Sequence, residues 1–405
     1  MPTERQLRYY NREGNGLSIP CVLLCLMMVA VLGYLPALPS SISQVFRPIL
    51  IILCFLIPSK LYYRFSITDK MLVLYLAYFM LVFLAHPITK DTAMAYGAVL
   101  LFGLFFIVLA KRYWNKREIQ AVLFSVALAS TIFAVILYRE NPDMLHNHPY
   151  GGFTFRGYHI NDNAAAYELV PGILCSLTLF LFHHPHHAQK QRWAVFVQIA
   201  LFFSAVFCMF VVFCIGARSA FFSAVLGSVC IFYQKTRTYH SSSARMRALV
   251  IMVLSLVILI GVGMHVTEGT HSARLFDIES LDDDNGREDL ADEAWPMIHK
   301  KPLFGGGYDY WAEEGGSKLG THNTFLTVMV RGGYTGGIFL FLFLLAVLIE
   351  TVSTKNFLLI AFPVETVLHT LTESDLDYFA YIPLLILFIL MRYAKIHNCA
   401  AEDIV

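Results

Sequence analysis

"VFVQIALFFSAVFCMFVVFCIGARSAFFSAVLGSVCIFY", residues 195–233, is an apolar run nearly twice as long as a bilayer requires. A helix rises about 1.5 Å per residue, so crossing ~30 Å of hydrocarbon takes roughly 20 residues. The run is bounded by "AQKQR" at 188–192 and "QKTRTYHSSSARMR" at 234–247, both basic. Basic connections stay in the cytoplasm, and a chain joining two loops on one side crosses an even number of times. The stretch therefore predicts a helical hairpin, with "GARSA" at 216–220 as its tight outer turn. Arg218 then stands at the outer face and not in hydrocarbon, where an Arg costs several kcal/mol.

The rest of the chain extends this reading. Of its 405 residues, 57% are hydrophobic and only 15% are charged, where a soluble domain is about a quarter charged. The expectation is an all-α, polytopic integral membrane protein. Twelve spans are predicted, at 17–36, 42–58, 68–86, 92–110, 118–138, 163–182, 194–215, 219–234, 248–266, 334–352, 356–371 and 378–392. The first follows Arg5, Arg8 and Arg12 and lacks a small-residue cleavage site, so it reads as a retained signal-anchor. Alternate connections are basic and hold 19 of the 30 Lys and Arg residues, which places them and both termini in the cytoplasm. Three regions follow: spans 1–9 over 1–266, an outer loop carrying short helices over 267–333, and spans 10–12 with a tail over 334–405. The net charge of +1 says nothing of partners, because the charges are sorted by side. No basic, aromatic-interleaved surface points to nucleic acid. Seven of the eight cysteines lie in apolar blocks and none in the long outer loop, which argues against a disulfide framework.

Two sizeable connections face outward, 139–162 and 267–333. Long loops in compact proteins are usually functional. In the second, "EDLADEAWPMIHK" has acids early and bases late, as a helix dipole prefers. "LFGGGYDYW" reads as a Gly turn beside interfacial aromatics, and "NTFLTVMV" as a short outer helix ending at Gly332-Gly333. Topology puts Arg218, Arg287 and His322 on this face. Arg offers a planar fork of charge-assisted donors matched to phosphate. His is the side chain best suited to accept a proton near neutrality. Together they suggest displacement of a phosphate leaving group by a hydroxyl, with His322 as base. Each residue also has a bland reading. Arg218 snorkels from a span end, Arg287 balances the acids of "DDDN", and His322 joins the capping turn with Thr321 and Asn323. "HHPHH" at 183–187 reads as a solvated cytoplasmic loop, not a metal site, because Pro185 breaks a helical ligand face. Glu365 and His369 share a helix face within a span. They are the strongest argument for a transporter or flippase, and otherwise form a packed or cavity-lining polar face.

Three stretches carry a family resemblance: "GARSAFFSAVLG", "GREDLADEAWPMIHKKPLFGGGYDYW" and "THNTFLTVMVRGGYTGGIFLF". In these the chain resembles the bacterial O-antigen ligases, within the superfamily that also holds O-antigen polymerases and protein O-oligosaccharyltransferases. "HINDNAAAYELVPGIL" fits more loosely. The resemblance implies a GT-C-like, metal-independent, inverting glycosyltransferase of the inner membrane, with its site facing the periplasm. The implied donor is an undecaprenyl-diphosphate-linked O-antigen, and the implied acceptor is lipid A–core oligosaccharide. No cofactor or nucleotide is implied. The motif arginines map onto Arg218 and Arg287 as diphosphate binders, and the motif His onto His322, with Asn323 a substrate contact beside it. Lys90 and Arg156, in outer connections, are further candidate donor contacts.

Overall fold

The structure, a computed structural model, describes residues 17–33, 65–89, 112–146, 153–155, 158–182, 191–239, 241–267, 287–316, 321–373 and 382–397, with scattered positions between 92 and 108 and at 270 and 275. Its labelled helices are α1 (Ile19–Gly33), α2 (Ile67–Ala85), α3 (Lys116–Glu140), α4 (Asp162–Phe182), α5 (Gln191–Ile215), α6 (Arg218–Arg237), α7 (Ser242–Thr267), α8 (Arg287–Lys300), α9 (Tyr310–Glu313), α10 (Thr324–Ser353), α11 (Phe357–Thr372) and α12 (Ile382–His397). Five of them are long and apolar enough to cross a membrane: α2, α3, α4, residues Val195–Ile215 of α5, and α10. α1 and α11 are shorter apolar helices. The expected span at 42–58 and the "HHPHH" loop lie outside the described residues, and the span at 92–110 is described in part, as helix.

The expectation of an all-α chain misses one element. β1 (Phe153–Phe155) and β2 (Tyr158–Ile160) form an antiparallel hairpin after α3, with Phe153 opposite Ile160 and Phe155 opposite Tyr158. Alternating aromatic residues favour a half-buried strand. Here the buried face rests on α3, where the Phe155 and Phe133 rings lie 4.7 Å apart. Asn141 then clamps the strand, donating to Thr154 O at 2.7 Å and accepting from Thr154 N at 3.1 Å.

Side chains set where several helices begin. Ser66 and Asp69 form a reciprocal capping box on α2, and Asn115 and Glu118 form another on α3. Asn323 caps α10 and Asn356 caps α11. Each satisfies first-turn N–H groups that the helix leaves orphaned. α6 differs: its cap position is Ala217, which has no side chain to offer.

Burial separates inner from outer helices. In α4, 83% of the apolar window is buried, against 28% in α5, so α4 is central and α5 turns phenylalanines outward. Lipid is as apolar as leucine, so membrane helices associate by close packing and not by escape from water. α4 packs closely at Gly172, where an added Cβ would lie 2.2 Å from Ser130 Cβ of α3. Ser130 Oγ uses that proximity to donate to Glu168 O at 3.1 Å.

Hydrogen bonds sort the helix ends into two groups. At one end, Gln234 of α6 accepts from Phe357 N of α11 at 2.9 Å. Glu350 of α10 accepts from Thr68 N of α2 at 3.2 Å and pairs with Lys395 of α12. The starts of α2 and α11 and the ends of α6, α10 and α12 therefore share one side, where the basic connections fall. The opposite end gathers the starts of α4, α6 and α10 and the end of α11.

α10 is two helical sections meeting at Gly333, whose φ of 63° and ψ of −173° are non-helical. The break exposes carbonyls at the end of the first section, and neighbours take them up. Gly306 N donates to Val330 O at 2.9 Å, Gly307 N donates to Arg331 O at 3.0 Å, and the Tyr78 hydroxyl bonds Gly332 O. Tyr334 N, freed on the other side, donates to Pro302 O at 2.7 Å. The Gly332-Gly333 stop read from the sequence is thus where the 301–307 turn docks. This φ/ψ region is essentially restricted to glycine, and a Cβ on Gly333 would lie 2.5 Å from Pro302 O. Gly333→Ala is expected to cost at least about 1–3 kcal/mol and to release the turn. Protease sensitivity near 301–307 in purified protein checks this, and unchanged cleavage would refute it.

Candidate active site

The second group of helix ends holds most of the residues singled out from the sequence. The start of α10 is fastened to the end of α11. Thr324 Oγ1 donates to Glu373 O at 2.5 Å, and Asn323 Nδ2 donates to Leu371 O at 3.3 Å. These side chains satisfy carbonyls at the end of α11. Asn323 Oδ1 also accepts from Leu326 N at 3.1 Å, and Thr321 Oγ1 donates to Asn323 O at 2.8 Å.

His322 sits within this knot. Its φ of 43° lies in the left-handed region, which few non-glycine residues adopt, although His is enriched among them. Such strain persists where surrounding contacts over-determine it, as the capping bonds on either side do here. The ring turns toward α11, with Nδ1 3.4 Å from Glu373 Oε2. The His322 side chain is 21% exposed and that of Glu373 only 7%. Imidazole faces the surface, and carboxylate stands behind it. The capping role weighed for His322 belongs instead to Thr321 and Asn323.

Arg218 is the first residue of α6. Its neighbour Ser219 lies near the Tyr167 hydroxyl of α4. The same hydroxyl shares a hydrogen bond of 2.9 Å with Thr372 Oγ1, one residue before Glu373. Tyr167 therefore stands between the start of α6 and the end of α11, two helix ends more than 100 residues apart in sequence. Arg218 stands at a helix N-terminus, where the dipole favours anions.

Arg287 opens α8, the short helix expected in the long loop; its side chain lies outside the described residues. α8 seats Ala294, Met297 and Ile298 against Leu326 and Val330, on the section of α10 that His322 precedes. Its last residue, Lys300, pairs with the exposed Glu314. Hydrogen bonding from Lys300 holds the Glu314 carboxyl below the usual carboxylate range. Lys90 and Arg156 are outside the described residues. The flanks of Lys90, Thr89 and Thr92, donate to Asp309 Oδ2 at 3.1 and 2.8 Å, so that turn docks on the loop. Arg156 belongs to the connection between β1 and β2.

Sequence reasoning missed two features. Glu373 is the first; its signal is an acid at a helix C-terminus, where the dipole disfavours negative charge. Arg331 is the second, with its guanidinium 4.3 Å from the Tyr308 ring centroid on the docked turn. Glu365 and His369 do share a face and are buried, with His369 Nδ1 4.0 Å from Glu365 Oε1. The His369 ring stacks on Tyr167 at 3.9 Å. That favours the packed reading of this pair over a transport path.

Residues 199–341 match the family model described as O-Antigen ligase. The matched segment runs from within α5 through the Arg218 turn, α8 and His322 and past the Gly333 break into the second section of α10. No curated protein matches the chain.

Proposed function

Taking membership in the O-antigen ligase/polymerase superfamily as the premise, we propose that this chain is an O-antigen ligase of lipopolysaccharide biosynthesis. The donor is an undecaprenyl-diphosphate-linked glycan, and the acceptor is a sugar hydroxyl of lipid A–core oligosaccharide. Transfer takes place at the periplasmic face of the inner membrane. The observation that carries the reading is His322, partly exposed and backed by a carboxylate, at the same end of the molecule as Arg218.

The chemistry is a single displacement. The acceptor oxygen attacks the anomeric carbon as the bond to the diphosphate oxygen breaks, so the configuration inverts. His322 takes the hydroxyl proton, and the electron pair of the broken bond leaves on undecaprenyl diphosphate. Arg218 and Arg287 face the developing negative charge, where fixed donors are most effective. The N-terminus of α6, which has no side-chain cap, adds its dipole to the charge of the guanidinium. Asn323 holds the turn that aims the ring and presents its amide beside it. Lys90 and Arg156, in the connections that the sequence assigns to the outer side, contribute positive charge toward the donor. No metal or nucleotide enters this scheme.

Deleting the gene and examining the cell's lipopolysaccharide tests the proposal. A ligase leaves core without attached polymer, while lipid-linked polymer accumulates. Core carrying one repeat unit would instead identify a polymerase, and normal surface polymer would overturn both.

A further inference from the structure

Glu373 lies 51 residues from His322, outside the segment that matches the family model, yet its carboxylate faces the ring. We infer that Glu373 is a positioning residue for His322. It accepts a hydrogen bond from Nδ1–H, fixes the tautomer, and leaves the Nε2 lone pair toward the acceptor hydroxyl. The inference rests on the proposed role of His322 as base.

Three observations converge on it. First, the pair is held by its backbones, since Thr324 and Asn323 bond the carbonyls of Glu373 and Leu371. The ring therefore cannot drift from the carboxylate without unfastening α10 from α11. Second, the left-handed backbone of His322 is the conformation that brings Nδ1 to 3.4 Å from Oε2. Among the described residues, Glu373 is the hydrogen-bonding and ion-pairing partner of the ring. Third, the other carboxylate oxygen, Oε1, is buried with no hydrogen-bond partner among the described residues. An ionised carboxylate in such a place is costly unless a positive charge stands beside it. Proton transfer to His322 supplies that charge as the acceptor hydroxyl is consumed. The tautomer of a His is set by the hydrogen bond its other nitrogen makes, and here that nitrogen faces an acceptor that donates nothing when ionised.

A merely structural Glu373 would fasten α11 to α10 through its backbone carbonyl, which substitution leaves in place. The test is therefore Glu373→Gln, assayed with purified full-length protein on lipid-linked donor and core acceptor, beside Glu373→Asp and His322→Gln. The expected result for Glu373→Gln is a kcat about 10–100-fold lower, with the donor KM unchanged. Glu373→Asp recovers part of the rate, because a carboxylate again faces Nδ1. Two outcomes overturn the positioning role while leaving His322 as base: a fully active Glu373→Gln beside an inactive His322→Gln, or a Glu373→Gln that loses thermal stability and donor affinity together with kcat. A His322→Gln that turns over near the wild-type rate removes the base itself, and the inference with it.

Discussion

His322→Ala is expected to retain donor binding and to lose transfer, with kcat falling by about 10²–10⁴-fold. The size follows from what the ring does in the proposed displacement. A sugar hydroxyl is a poor nucleophile until its proton has somewhere to go, and removing the acceptor leaves only water to take it. The ring must be neutral to act, so the rate should fall on the acidic side as the imidazole gains a proton. The imidazole is not needed to hold the lipid-linked diphosphate, so donor affinity should stay within a few-fold of wild type. Donor binding by the purified variant and single-turnover transfer across pH separate these effects. A competing role, hydrogen-bond donation to a phosphate, would let His322→Gln or His322→Asn keep substantial activity without an acidic limb. His322→Gln turning over within a few-fold of wild type would refute the base assignment.

The parts of this site that were legible in the sequence obey local rules. The turn at Gly216, the short helix α8 and the break at Gly333 each follow from residues within one turn of the feature. Parity assigned Arg218 to the outer side, because two basic loops flank a run too long for one crossing, and the structure sets it at the helix end opposite those basic connections. Arg287 and His322 were brought in by loop position and motif, and α8 and the Asn323 cap gave them their local settings. What escaped was the pairing of segments far apart. Nothing near Glu373 says that it meets His322, because that contact depends on α11 ending where α10 begins. The hairpin of β1 and β2 depends on α3 offering Phe133 and Asn141. Glu365 and His369 illustrate the same limit from the other side. Helical periodicity put them on one face, but only the stack against Tyr167 distinguishes packing from a path. A polar residue inside a span is ambiguous until its neighbour across the helix interface is known.

Arg218→Ala and Arg287→Ala are each expected to lower kcat/KM for the lipid-linked donor by about 10–150-fold, the loss of roughly 1.5–3 kcal/mol from a charge-assisted hydrogen bond. Unlike His322→Ala, both should weaken donor capture as well as turnover, because a diphosphate is charged before the reaction and more so as it leaves. Lysine at either position should recover only part of the loss, since a point charge restores attraction but not the paired fork. Both arginines are the first residue of a helix, α6 and α8, whose first-turn N–H groups remain after substitution. Some anion attraction therefore survives in either alanine variant. The double variant should fall further than either single one if each arginine contacts a different phosphate, and no further if they share one. Donor titration and transfer rates with purified single and double variants at fixed ionic strength decide this. Wild-type activity in either alanine variant would remove that arginine from the diphosphate site.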